Sequence, residues 1–176
     1  FKEEIVPIEI RGRKETIIFD TDEYPNRATS LEKLSKLKPA FKKEGTVTAG
    51  NASGINDGAS FVLVASEEMV NKLGITPLVE IIATGQGGVD PNIMGMGPVP
   101  AVNRALKKAG LSLREMEIIE LNEAFAAPSL GVIRQLAQDH QVSEEWIMEK
   151  SNVNGGAIAL GHPIGASGNR IVVSLL

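Results

Sequence analysis

The chain has 176 residues, 43% of them apolar, and 18 Lys and Arg stand against 22 Asp and Glu for a formal net charge of −4. That is enough apolar residue for a buried core in one or two domains, and the acidic balance excludes a general attraction to nucleic-acid phosphate or anionic lipid. Cysteine is absent, which excludes disulfides and thiolate-bound metals, and two histidines far apart in sequence give little basis for a zinc site.

No apolar run approaches the ~20 residues of a membrane span, and Phe1-Lys2-Glu3-Glu4 is not the start of a signal segment, so the expected setting is cytoplasmic. Residues 1–45 are mixed and charged. Residues 5–10 alternate as a strand does, residues 16–19 form a second β-like stretch, and residues 20–23 make an acidic turn. Leu31, Leu34 and Leu37 recur at helical spacing, and Pro39 ends that helix. Lys33, Lys36, Lys38, Lys42 and Lys43 cluster here, which on composition alone is a solvated face.

Residues 46–49 read as a strand, and residues 50–59 (GNASGINDGA) are too rich in Gly, Asn and Asp to be anything but a shaped loop. The continuous apolar run 61–65 suits an element buried on both faces, after which Ser66-Glu67-Glu68 caps a short helix ending at Gly74. Residues 78–83 (LVEIIA) predict a strand, a glycine-rich loop follows, and residues 99–109 predict an amphipathic helix with Gly110 just past its end. Residues 117–121 are the next predicted strand, and Asn122 stands where it hands over to a helix over 124–138. Trp146 marks a short helix, Val153 opens a glycine-rich turn, and Gly165-Ala166-Ser167-Gly168 starts a last helix. Strand and helix alternate, so the class is α/β. Residues 171–176 stop inside an apolar helical pattern with no cap, which reads as a cut within a longer protein.

Candidate chemistry concentrates in two turns. His162 lies outside any periodic pattern, among Gly155, Gly156, Gly161, Gly165 and Gly168, which allow close approach of a backbone or a ligand and favour a functional role. Asn122 taken alone is a helix cap, and Glu123 a carboxylate favoured at a helix start. His140, beside Gln138, Asp139 and Gln141, reads as a solvated surface residue. Gly85-Gln86-Gly87-Gly88 and Gly95-Met96-Gly97 lack the spacing of a dinucleotide loop and the Lys-Ser/Thr pair of a P-loop, and both read as turns. Met94 and Met96 read as packing.

Four motifs together carry a specific resemblance: TVTAGNASGINDGA at 46–59, DPNIMGMGPVPA at 90–101, ELNEAFAA at 120–127 and NVNGGAIALGHPIGASGNR at 152–170. Over nearly its whole length the chain resembles the thiolases. Asn122-Glu123 separates it from the β-ketoacyl-carrier-protein synthases and sterol-carrier-type thiolases, and Gly50-Asn51-Ala52-Ser53-Gly54 tilts it toward the acetoacetyl-forming branch rather than the GNSS-type degradative one. The resemblance implies an incomplete α-β-α-β-α layered fold, with 1–55 as the end of a loop domain, 56–75 as the close of an amino-terminal half and 76–176 as a truncated carboxy-terminal half.

The implied activity is acyl transfer, two acetyl-CoA giving acetoacetyl-CoA and CoA, or the reverse thiolysis. Alternatives are a 3-ketoacyl-CoA thiolase of fatty-acid β-oxidation and a non-catalytic CoA-binding or assembly module. The family's two catalytic cysteines are missing from this chain, so the piece alone is expected to be inactive. By resemblance His162 activates the nucleophile and donates to the thioester oxygen, and Asn122 holds a water that completes the oxyanion hole. Ser53 and Ala49 would touch the pantetheine arm, and Met94 and Phe125 would wall its tunnel. Arg27 would lie near the CoA adenine, although the family's arginine position falls one residue earlier, on Asn26. Pro128, where the family usually has Gln, and a longer stretch over 138–151 also depart from the pattern. Expected besides are no cofactor other than the CoA thioester substrate, no metal, no nucleic-acid or membrane partner, and a homo-oligomeric complete protein, dimer or tetramer.

Overall fold

Alternating apolar residues at the amino terminus close on themselves as an antiparallel hairpin in the computed structural model, which describes residues 2 and 4–176. Strands β1 (Ile8–Arg11) and β2 (Thr16–Phe19) pair Ile8 with Phe19 and Ile10 with Ile17, and the Gly12 N–H closes the turn on Glu15 O at 2.9 Å. Helix α1 (Leu31–Ser35) starts at Ser30, whose hydroxyl accepts from the Lys33 N–H. Its Leu34, together with Leu37 beyond its end, lies over Gly50, and Tyr24 lies over Gly54, so side chains from this first region seat the 50–59 loop where any Cβ would collide. Helix α2 (Glu67–Leu73) runs from the Ser66 cap to Gly74 in the left-handed conformation, both as the residue pattern predicts.

The core lies between three later helices, α3 (Pro98–Ala109), α4 (Ala126–His140) and α5 (Glu144–Lys150). Val99 and Leu106 of α3 meet Val132, Ile133, Leu136 and Ala137 of α4, with Ile147 of α5 and the intervening Leu113 filling the space between. The spacing puts these residues on one stripe of each helix, and left-handed Gly110 and Gln141 end α3 and α4. Two more helices, α6 (Ala157–Leu160) and α7 (Ser167–Leu175), flank the turn that carries His162.

Boundaries move little from the expectation: α4 begins at Ala126 rather than 124 and runs to His140, and α7 begins at Ser167 rather than Gly165. The strands differ more. Residues 46–49, 61–65, 78–83 and 117–121 form no ladder, and among the described residues β1 and β2 make the one sheet. A strand exists through hydrogen bonds to a neighbour, and an apolar pattern alone does not supply one. Residues 117–121 come nearest, since the Ile119 N–H donates to Lys150 O at 2.9 Å and the Asn152 N–H to Ile119 O at 2.9 Å, a single parallel bridge. Phe61, Leu63 and Leu78 stand 89%, 92% and 85% exposed, so these side chains have no cover among the described residues. No helix among the described residues is long and apolar enough to cross a membrane.

Burial therefore separates two kinds of apolar residue, which substitution can distinguish. Ile147, 1% exposed, leaves a cavity when truncated, and Ile147→Ala is expected to lower stability by about 2–5 kcal/mol in denaturant titration. A cost for Ile147→Ala as small as the few tenths of a kcal/mol typical of surface positions would contradict this core.

Candidate active site

The frame of the site is a side-chain amide. Asn152, in the left-handed conformation at φ 49°, accepts from the Leu121 N–H at 2.8 Å and donates to Leu121 O at 2.8 Å and to Glu123 Oε1 at 2.8 Å. Both amide hydrogens and the amide oxygen are thereby used. The second Glu123 oxygen accepts from the Ile158 N–H at 3.4 Å, at the start of α6, and the carboxylate fills the space a Cβ on Gly156 would need. The turn around 152–158 is thus bolted to both sides of Asn122.

The 50–59 loop is fastened to the same place from the other end of the chain. Ala126 N–H, at the start of α4 where no earlier carbonyl of the helix can receive it, donates to Asn51 O at 2.9 Å. Ser53 donates twice to Ala124 O, through its N–H at 3.0 Å and its hydroxyl at 2.9 Å. Asn56 Oδ1 accepts from the His162 N–H at 3.1 Å, and Asn169 Nδ2 donates to Ser60 Oγ at 2.8 Å. Gly161, at φ 95°, has the Asn56 side chain where its Cβ would sit, so a side chain at 161 would break the contact that holds His162.

These ties bring Asn122 and His162 together. Asn122 Nδ2 lies 3.5 Å from His162 Nε2, a long approach, while His162 Nδ1 lies 2.6 Å from the Ser167 hydroxyl. Asn122 Oδ1 is buried and has no protein partner among the described residues. The pair can offer a reacting oxygen two polar groups from a rigid support.

Of the other expected site residues, Phe125 is half-buried with its ring edge-on to Phe41 at 6.2 Å, and Ala49 is exposed in the same loop as Ser53. Met94 is 78% exposed on the irregular 3₁₀ segment Pro91–Met96, whose Gly95 and Met96 pack against Pro128 and Gly131 of α4. Arg27 is exposed in the turn closed by the Thr29 N–H on Asn26 O at 3.2 Å, and among the described residues no hydrogen bond ties it to the Asn122–His162 pair. Asn56, Asn152 and Ser167 escaped the sequence reading, and Glu123 was read only as a helix-start carboxylate. Their one visible signal is polar residues set among glycines in the same motifs. His140 is not a solvated surface residue: it is partly buried, and its Nε2 lies 2.8 Å from Asn103 Oδ1, linking α4 to α3. Among the described residues no three His, Asp or Glu side chains gather as a metal site.

Beside the Glu123 carboxylate, Glu120 and Arg170 also lie near the site. Burial pushes the Glu120 carboxyl above the usual glutamate range, Arg170 pulls it down, and the neighbouring Glu123 carboxylate adds to the rise. With the folded-state value raised, the folded protein holds a proton that the unfolded chain releases, so stability falls as pH rises from the ordinary glutamate value through the raised one. Glu120→Gln removes that loss. In denaturation at a series of pH values, the variant is expected to gain on the wild type as pH rises across this window; wild type gaining on the variant would contradict the assignment.

Residues 75–176 match the family model "Thiolase, C-terminal domain" and residues 1–68 match "Thiolase, N-terminal domain". Over the whole chain it is 56% identical to an acetyl-CoA acetyltransferase of Syntrophomonas wolfei, covering 43% of that relative. It is 52% identical to a mitochondrial 3-ketoacyl-CoA thiolase of Homo sapiens, covering 42% of it. The chain thus spans less than half the length of these relatives. The crystal structure of the Bacillus anthracis acetyl-CoA acetyltransferase superposes on 99% of this chain and 42% of its own, with a TM-score of 0.87 at 46% identity. The human mitochondrial 3-ketoacyl-CoA thiolase superposes with a TM-score of 0.79 at 47% identity, over 96% of this chain and 41% of its own. The α/β fold is accordingly part of the thiolase fold, and the chain belongs to the thiolase family.

Proposed function

We propose that the protein carrying this chain is an acetyl-CoA acetyltransferase, joining two acetyl-CoA into acetoacetyl-CoA and CoA or running the reverse thiolysis. The observation that carries this reading is the convergence of Asn122 and His162, 3.5 Å apart at the ends of two turns, with every neighbouring backbone segment pinned. In a thioester condensation negative charge collects on the thioester oxygen as the α-carbon loses its proton. A fixed donor aimed at that oxygen is worth about 3 kcal/mol in the transition state.

His162 Nε2 takes the proton of a thiol nucleophile, and the imidazolium so formed donates from the same atom to the thioester oxygen. Asn122 acts through the water it holds: its buried Oδ1 has no hydrogen-bond partner among the described residues, and a water hydrogen would satisfy it. The chain contains no cysteine, so both thiolates of the reaction come from outside these 176 residues. Ser53, whose hydroxyl proton is committed to Ala124 O, has only acceptor capacity left for a pantetheine amide N–H. Ala49, Met94 and Phe125 would line the same arm, and Arg27 would lie toward the adenine end. No cofactor beyond the CoA thioester is needed by this chemistry. A homo-oligomeric assembly, a cytoplasmic setting and a place in lipid metabolism belong to the same proposal.

A second reading, a 3-ketoacyl-CoA thiolase of broader chain length, draws on the 52% identity to the human mitochondrial relative. Comparing kcat/KM for acetoacetyl-CoA with that for longer 3-ketoacyl-CoA thioesters separates the two. A preference for the longer chains would overturn the first reading.

Two outcomes are expected of the chemistry itself. The 176-residue chain alone should show no thiolysis of acetoacetyl-CoA, and turnover near that of a complete thiolase would contradict the placement of both thiolates elsewhere. In the complete protein, His162→Ala should slow both acylation and condensation by at least ~100-fold from one lost donor. Asn122→Ala should slow mainly the condensation or cleavage step, leaving acylation comparatively fast. Acyl-enzyme formation followed by mass spectrometry, alongside steady-state turnover, resolves the two steps. Full turnover in both variants, or an Asn122→Ala block on acylation as strong as that of His162→Ala, would show the roles to be wrong.

A further inference from the structure

We propose that Ser167 is a positioning residue that fixes which nitrogen of His162 carries the proton. A serine hydroxyl has one hydrogen to give and lone pairs to receive. The Ser167 oxygen has two neighbours, the Pro163 carbonyl oxygen at 3.1 Å and His162 Nδ1 at 2.6 Å. The Pro163 carbonyl also accepts the Ala166 and Ser167 N–H groups at 2.7 and 2.9 Å, and the structure assigns the hydroxyl hydrogen to it as a third donor. A hydroxyl turned toward Nδ1 instead would give up that bond and leave its oxygen facing the carbonyl oxygen at 3.1 Å. With the hydrogen on Pro163 O, a lone pair faces Nδ1, and Nδ1 must bring a hydrogen of its own. Neutral His162 is therefore the Nδ1–H tautomer, and Nε2 is left as a bare acceptor.

The opposite side of the ring agrees. Nε2 faces the Asn122 Nδ2 amide hydrogens at 3.5 Å, where an Nε2–H would set donor against donor. Ser167 is 2% exposed, so water does not compete for its hydroxyl, and it sits at the first residue of α7, five residues after the histidine it orients. Asn56 holds the backbone of His162 from the far side. Asn56 thus holds the His162 backbone N–H, while Ser167 meets the ring at Nδ1 and also bonds the next carbonyl, Pro163 O, through its N–H and hydroxyl.

This inference rests on the reading of His162 Nε2 as the proton acceptor, and its test is chosen to fail separately. In the complete protein with ¹⁵N-labelled histidine, the His162 ring resonances are assigned by their loss in His162→Asn. Wild type near neutral pH, without substrate, should show a protonated-type Nδ1 and an unprotonated-type Nε2. Ser167→Ala should move His162 toward the Nε2–H form and slow acylation by about 10-fold or more, as loss of a ligand-orienting partner does elsewhere. Ser167→Thr, which keeps the hydroxyl, should keep the wild-type pattern and restore acylation. An Nε2-protonated neutral His162 in the wild type, or an unchanged ring pattern in Ser167→Ala, would overturn the role of Ser167. If Ser167→Ala does not fold, the wild-type spectrum alone decides. The expected tautomer together with undiminished turnover in His162→Ala would instead overturn the reading of His162, leaving the Ser167 contact intact.

Discussion

The three hydrogen bonds of the Asn152 side chain are the constraint on which the rest of the site depends. Residues 117–121 have no ladder on which to lie, so their end is placed by an amide that copies a neighbouring strand, taking the Leu121 N–H and returning a hydrogen to Leu121 O. The third bond reaches Glu123, and Glu123 in turn receives Ile158 at the start of α6. Asn122 lies between the two clamped residues. Its own side chain makes no hydrogen bond to backbone among the described residues and can be given to chemistry. The half-buried Asn152 amide has each donor and its oxygen engaged, so displacing it breaks several hydrogen bonds at once.

A second set of ties works over longer stretches of chain. Ser53 to Ala124, Asn56 to His162 and Asn169 to Ser60 join segments 71, 106 and 109 residues apart. Each doubling of a closed loop costs only about 0.6 kcal/mol more, so distance along the sequence is a small penalty beside the cost of leaving these groups unpaired in a half-buried site. The helical core is local by comparison: α3, α4 and α5 follow one another closely, and α3 and α5 pack against α4, whose N-cap is Phe125.

Much of this was legible in the sequence, for reasons that differ by element. The cap at Ser66 and the glycines at 74 and 110 leave local signatures, and α1, α2, α3, α4 and α7 fall within two or three residues of expectation, while α6 lies in a stretch that reads as a turn. His162 was visible because the glycines around it break every periodic pattern, whereas Asn122, at the end of a predicted strand, read as a helix cap until the ELNEAFAA motif gave it a role. Asn56, Asn152 and Ser167 were not, since what makes them matter is a partner up to 106 residues away, or the ring of a histidine whose orientation no spacing encodes. The runs at 61–65 and 78–83 announce burial correctly as composition, but burial needs a cover and a strand needs a neighbour. Leu63 and Leu78 find neither among the described residues. His140 misled for the converse reason: its polar neighbours in sequence are not its neighbours in space, where Asn103 reaches it from α3.

If Asn122 and His162 form one oxygen-stabilising unit held by these clamps, they should fail as a unit. A double-mutant cycle of Asn122→Ala and His162→Ala in the complete protein, read on the condensation step, tests this most directly. The account predicts strong coupling, with the double variant about as slow as the worse single one, because removing either residue already dismantles the shared site. Losses that simply multiply would show two independent residues and contradict it.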